Sequence, residues 1–368
     1  MIQPFTPTVA QARVDDFRDR LARTRFPDPE VVDDWSQGLP VLEAMQLRDD
    51  LLEHDFATCL ARMEALGSYR TDIENIDIHF LHLPGPKDAV PLLLIHGWPG
   101  GVIEFLDVAK ALSEHHTLVI PSLPGFGYST APRETGWGVE RIADACAALM
   151  HRLGHERFIA QGGDWGAEIG SLVAQRHPDA CLGAHINLVS ARVPEAVRSN
   201  PTDAETAQMG RLRDWGRMEM GYYRQQASRP QTLGYALADS AIGQACWIAE
   251  KFHAWTDPSL GQPHGGVARA RILDLICLYW FTNSATAASR LYWESGYSSG
   301  RTAIDAAVAC SLYPHEINAP SRRWAEGRYG QIVDWHVAKR GGHFPALEVP
   351  DDFVVDVRRG VEAILAAK

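Results

Sequence analysis

Five residues, Gly162-Gly163-Asp164-Trp165-Gly166, constrain this chain more than any other stretch. They follow the apolar run Arg157-Phe158-Ile159-Ala160, which reads as a buried strand, and they open a helical stretch, Ala167–Arg176. Small residues two before and two after a reactive side chain mark a tight strand-to-helix turn that exposes the central residue. The N-terminus of the new helix favours negative charge at that point. A turn of this kind needs a sheet whose strands are joined by helices.

The flanking sequence supplies such a sheet. Ile76, Ile78 and Phe80 alternate with polar partners as in a half-buried strand. Val90-Pro91-Leu92-Leu93-Leu94-Ile95 is continuously apolar, as in a strand covered on both faces. Leu118-Val119-Ile120 repeats the theme, with a helical stretch at 139–153 before the next strand. Strand-like patterns return at 304–312 and 331–338, ahead of a last helix at 351–366. Buried strands alternating with helices predict an α/β fold with a mostly parallel, doubly wound sheet.

Two regions break the alternation. Residues 1–72 read as helices. Thr8 with Gln11 makes a capping box for the first, which carries Val14, Phe17 and Leu21 and stops before Pro27 and Pro29. Leu42, Leu47 and Leu51 mark a second helix; Phe56, Leu60 and Met63 mark a third that ends near Gly67. Residues 195–300 are again mostly helical, rich in Tyr and Trp, with a Pro/Gly loop at 257–266. The expected organisation is a helical segment (1–72), a core in two parts (73–194 and 301–368) and a helical cap (195–300) inserted between them. An insertion over the C-terminal strand ends lies above the place where such sheets bind ligands.

The 368 residues suit one large domain with insertions, and a net charge of -11 without Lys or Arg runs argues against a nucleic-acid surface. The six cysteines are at least 31 residues apart in mainly apolar surroundings, so no metal or redox spacing arises and a reduced, cytoplasmic protein is expected. Neither a signal peptide nor a membrane span is legible.

Asp at the centre of the elbow changes the chemistry usually found there, because the usual occupant is Ser. A carboxylate with an ordinary pKa of about 3.9 is ionised at neutral pH and needs no base to activate it. It can open a strained ring or displace a halide at carbon, giving an alkyl ester. An Asp before a helix is more often simply a cap, but the flanking glycines and two further motifs favour the nucleophile. His96-Gly97-Trp98-Pro99-Gly100-Gly101 follows the 90–95 strand, where the superfamily places an oxyanion loop. The amides of Trp98 and Trp165 are therefore the expected donors. Gly341-Gly342-His343-Phe344 follows the last strand, and the chain order nucleophile, acid, His makes His343 the base. The acid between them is read as Glu316, just beyond the 304–312 strand, with Asp334 as the alternative.

With these motifs in place the chain resembles the microsomal-type epoxide hydrolases of the α/β-hydrolase superfamily over nearly its full length. The resemblance covers the helical N-terminal segment, the oxyanion loop with Trp98, the elbow with Asp164-Trp165, Glu316 placed 27 residues before His343, and the Gly-Gly-His-Phe loop. It implies hydrolysis of an epoxide to a vicinal diol through an ester on Asp164, with no cofactor or metal. It also implies two cap tyrosines that protonate the epoxide oxygen, matched here by Tyr222 and Tyr292, with Tyr223 open as the alternative to Tyr222. Membrane-bound members carry an N-terminal anchor that is not read here, so a soluble enzyme is expected. Its expected partner is a small, largely apolar epoxide, not nucleic acid or membrane, and homo-oligomerisation stays open. Haloalkane dehalogenase, an esterase and a catalytically silent binding protein are the competing readings.

Overall fold

The structure is a computed structural model that describes residues 1–261, 263–296 and 300–368. Gln262, inside the expected Pro/Gly loop, and residues 297–299, at the end of the expected cap, lie outside the described residues. Nine strands form one sheet: β1 (Gln3–Pro4), β2 (Ser68–Ile73), β3 (Ile76–Leu83), β4 (Leu92–Ile95), β5 (Leu118–Pro121), β6 (Phe158–Gly162), β7 (Cys181–Ile186), β8 (Ile304–Leu312) and β9 (Tyr329–Val337). Their order across the sheet is β1-β2-β3-β5-β4-β6-β7-β8-β9. Pairings from β5 through β9 are parallel, while β1, β2 and β3 add an antiparallel edge.

The central strands explain their own burial. Every residue of β4 and β6 is buried; the helix Trp165–Arg176 packs against both and is itself covered by Val139–Arg152, while the C-terminal helix Pro350–Ala366 packs on β7, β8 and β9. That is the pattern expected for continuous apolar runs in a parallel sheet. β7 was not singled out in the sequence, since Cys181-Leu182-Gly183-Ala184-His185-Ile186 mixes small and polar residues. It is nonetheless buried throughout. Gly183 lets β7 sit close to β8 and the last helix, where an added Cβ would meet Ala307 O at 2.6 Å.

The N-terminal helices differ from expectation in three places. The first runs Gln11–Ala22 with Ala10 at its N-cap, so the Thr8/Gln11 capping box does not form. The residues before it stay extended because β1 pairs with β2, Phe5 N donates to Ser68 O, and the Arg70 guanidinium lies over the Phe5 ring. In the second helix, Val41–Glu53, Leu47 and Leu51 are buried but Leu42 is 77% exposed; Ala44 takes the inward position expected of it. The sheet also begins earlier than residue 73, at β1 and β2. The third helix, Phe56–Ala65, ends at Gly67, whose φ of 81° suits a glycine C-terminus.

Between β7 and β8 the described chain is helical, with Asp203–Met218, Gly221–Ser228, Pro230–Asp239, Ala241–Ala254, Arg269–Thr282 and Ala285–Ser295 as its longer elements. No described helix is long and apolar enough to cross a membrane.

Candidate active site

Asp164 stands where β6 turns into the Trp165–Arg176 helix, with φ 49° and ψ -130°. A non-glycine residue held there costs on the order of 1–3 kcal/mol, an expense that surroundings must offset. The neighbouring glycines show how tightly the turn is enclosed. A Cβ at Gly162 would lie 2.1 Å from Gly166 O, one at Gly163 2.5 Å from the Asn187 side chain, and one at Gly166 1.9 Å from Ile95 O. The elbow therefore requires these small residues for close approach.

The loop after β4 meets the nucleophile from the adjacent strand. Trp98 N donates to Asp164 Oδ1 at 2.8 Å, and a Cβ at Gly97 would lie 2.2 Å from the same oxygen. Trp165 opens the helix, so its amide belongs to the first turn, whose N–H groups have no intrahelical acceptor. Trp98, one of the two sequence-expected donors, thus holds one carboxylate oxygen, and Oδ2 is left for other partners.

Oδ2 lies 3.4 Å from His343 Nε2, and His343 Nδ1 lies 2.7 Å from Glu316 Oε1. The acid and base loops are joined by backbone: His315 pairs with Gly342 in parallel fashion beyond the end of β8 and β9, and His315 N donates to Gly341 O. Sheet register thus continues into the triad. Asp334, the alternative acid, instead pairs with Arg359 at 3.0 Å. Burial opposes a charged His343, but the Glu316 and Asp164 carboxylates outweigh it and hold the imidazole well above its ordinary value.

Two carboxylates missed in the sequence brace the His343 loop. Asp257, buried between the helices Ala241–Ala254 and Arg269–Thr282, accepts from Gly341 N at 2.9 Å. Glu348 accepts from Asp257 N at 2.7 Å and Phe344 N at 2.9 Å, and burial raises its carboxyl to about 7. His343 N itself donates to Trp255 O, and the Phe344 ring stacks on Phe252 at 4.4 Å. The only hint in the sequence was a Glu placed after the His, out of triad order.

Tyr222 and Tyr292 face the same carboxylate from the helical segment. The Tyr222 ring stacks on Trp98 at 5.2 Å and 9°, while Tyr292 meets Trp165 edge-on at 4.9 Å. Both are buried, and the Tyr292 hydroxyl lies between Tyr222 and Trp165 without a well-formed hydrogen bond to either. Burial and then the Asp164 charge raise the Tyr222 phenol well above 10; burial, Tyr222 and Asp164 do the same at Tyr292. Tyr223 points its hydroxyl to Gly296 O, which engages it with backbone. Lys251 Nζ, buried and paired with Glu250, sits 4.6 Å from the Tyr222 ring, another neighbour the sequence did not disclose.

Asp164, Tyr222 and Tyr292 line one cavity of about 270 Å³, walled further by Leu188, Leu212, Trp215, Met220 and Ile317. The six cysteines are free, and no cluster that could hold a metal occurs among the described residues.

The chain is similar to known proteins over nearly its whole length. A family model described as epoxide hydrolase N terminus matches residues 2–105, and one described as alpha/beta hydrolase fold matches residues 90–236. A Stigmatella aurantiaca protein provisionally named an epoxide hydrolase is 38% identical over 97% of this chain and 84% of its own length. The crystal structure of juvenile hormone epoxide hydrolase from the silkworm Bombyx mori superposes with a TM-score of 0.93 at 28% identity, over 100% of this chain and 95% of that one. The Aspergillus niger epoxide hydrolase structure gives 0.90 at 29% identity, over 99% and 97%.

Proposed function

Taking as premise that this chain belongs to the epoxide hydrolase family, we propose that it opens its epoxide through a covalent alkyl ester on Asp164. The observation that carries this reading is the division of labour at one carboxylate. Oδ1 is held by the Trp98 amide, Oδ2 is free to attack, and His343 stands behind it at 3.4 Å.

In the first half, Asp164 Oδ2 attacks an epoxide carbon and the C–O ring bond breaks. Tyr222 or Tyr292 donates a proton or hydrogen bond to the departing oxygen, which would otherwise leave as an alkoxide. The placement of Tyr222 and Tyr292 on the Asp164 cavity and the backbone engagement of Tyr223 support the pair 222 and 292. In the second half, His343 takes a proton from water and the hydroxide adds to the ester carbonyl. Negative charge then develops on Oδ1, where the Trp98 and Trp165 amides stabilise it. On collapse the departing alkoxide takes the proton from His343 and leaves as the vicinal diol, while the second proton of the water, left on the Asp164 carboxyl, restores the phenol that gave its proton in the first half.

The charge balance suits this order. Asp164 and Glu316 both favour the imidazolium while Asp164 is ionised. Ester formation removes the Asp164 charge, so His343 becomes easier to deprotonate when a base is required. Glu316 keeps the ring oriented, as the acid does in related triads.

The helical segment between β7 and β8 serves as a cap, and the apolar walls of the 270 Å³ cavity favour a small, largely apolar epoxide. The free cysteines suit a cytoplasmic setting. Family membership displaces the dehalogenase and silent-binding readings, and the elbow without Ser disfavours an esterase.

The experiment is intact-protein mass spectrometry on His343→Gln mixed with an accepted styrene-type epoxide. A substrate-sized addition should appear and map to residues 162–166; an unmodified, folded variant would refute the ester.

A further inference from the structure

A carboxyl beside the reacting groups has no part in either half-reaction. Glu104 lies in the 3₁₀ turn Val102–Phe105, immediately beyond the oxyanion loop, and its Oε1 accepts from Gly101 N at 3.1 Å. A Cβ at Gly100 would come within 1.4 Å of that oxygen, so the carboxyl is folded directly against the loop backbone. Burial is the main cause that raises it to about 7; His343 opposes the rise and Asp164 adds to it.

Glu104 keeps some accessible surface and lines a small cavity. Asp164, His343, Asn187 and Ala346 line the same space, which leaves about 10 Å³ for the centre of a water molecule. One water needs roughly 10–15 Å³ by that measure and two or more polar partners. Asp164 also lines the 270 Å³ cavity that Tyr222 and Tyr292 share, so the nucleophile stands between a substrate-sized space and a water-sized one.

We propose that the small cavity is the site of the hydrolytic water and that Glu104 positions it, accepting a hydrogen bond from one O–H while His343 takes the proton of the other. The water oxygen bonds to Cγ of the Asp164 ester, the carbonyl electron pair moves to Oδ1, and the proton passes to His343 Nε2. When the Cγ–Oδ2 bond breaks, the leaving alkoxide recovers that proton from His343. Glu104 exchanges no proton; it orients a lone pair toward Cγ.

This inference rests on the alkyl-enzyme reading, and rapid-quench single turnovers separate the two. With a styrene-type epoxide, Glu104→Gln, which keeps an acceptor for Gly101 N, should form ester within about threefold of the wild-type rate. It should hydrolyse that ester about 10- to 100-fold more slowly, the size of one hydrogen bond involving a charged group. Ala346→Val fills the cavity from another wall without touching the Glu104–Gly101 bond, and should show the same selective slowing. It alone decides if Glu104→Gln fails to fold. Wild-type ester hydrolysis, or equal losses in both steps, would overturn the role of Glu104. If His343→Gln accumulates no ester at all, the covalent reading itself fails.

Discussion

The two halves of this active site are held by different forces. On the core side, Asp164, His343 and Glu316 hang from the ends of β6, β9 and β8, and hydrogen bonds of 2.7 and 2.8 Å fix Glu316 to His343 and Asp164 to Trp98. On the cap side, Tyr222 and Tyr292 are located by rings: Trp98, Trp165 and each other, with the two phenol rings 5.9 Å apart. A polar network tolerates almost no substitution, since removing one partner strands another buried group. Aromatic packing is non-directional enough that a Phe can keep the shape and lose only the hydroxyl. The core half is therefore the place where chemistry and architecture cannot be separated, and the cap half the place where they can.

The largest effect that exploits this difference comes from the phenols. Tyr222→Phe with Tyr292→Phe should leave the thermal melt near wild type and slow alkylation by about 10²- to 10⁴-fold, the range of a positioned general acid. Each single change should cost less, because the other hydroxyl remains. A folded double variant with near-wild-type alkylation would remove the cap half from the mechanism and return attention to Tyr223.

Glu316→Gln tests the core half. Losing its charge-assisted bond to His343 should slow ester hydrolysis about 10- to 100-fold and affect ester formation less. The Glu316 carboxylate raises the His343 value, so its loss lowers that value. The acid limb of the hydrolysis step, below which the imidazole is protonated and inactive, should accordingly move to lower pH. Asp334→Asn removes an ion pair with Arg359 at the sheet edge and should leave both steps intact. The opposite pattern would exchange the two acids.

The smallest effect concerns how the cap holds its tyrosines. Gln226 Oε1 accepts from Trp247 Nε1 at 3.2 Å and Ser289 Oγ at 3.1 Å, tying the Tyr222 helix to the Tyr292 helix. Gln226→Leu should lower stability by about 1 kcal/mol, read by denaturant unfolding, with a loss of only a few-fold in alkylation. A loss as large as that of the double Phe variant would show that polar bonds, not ring packing, locate the phenols.

The same division explains what the sequence disclosed. The elbow, the oxyanion loop and the His343 loop are contiguous motifs whose glycines follow from backbone approach, so Asp164, Trp98 and His343 were readable in one dimension. Glu316 needed only the chain order of a triad and a strand end. Tyr222 and Tyr292 sit among many aromatic residues in a helical stretch, 70 positions apart, and came only from the family resemblance. Asp257 and Lys251 reach the site through tertiary contacts with no local signature, and Glu348 showed only its place after His343, out of triad order. Glu104 had a faint one, a Glu three residues after the last glycine of the oxyanion loop, at the position that returns to an N-cap amide. In the fold, β7 was hidden by its small and polar residues, and the Thr8 capping box yielded to sheet pairing that no local pattern announces.

The central claim is that the first oxygen delivered to substrate belongs to Asp164. A single turnover of wild-type enzyme in ¹⁸O-water, with enzyme in excess over epoxide, tests it most directly. The account predicts that the first diol is largely unlabelled and that one ¹⁸O enters the Asp164 carboxylate, found by mass spectrometry of the peptide spanning residues 162–166. A first diol carrying full solvent label, with Asp164 unlabelled, would mean that water attacks the epoxide itself, and would contradict the account.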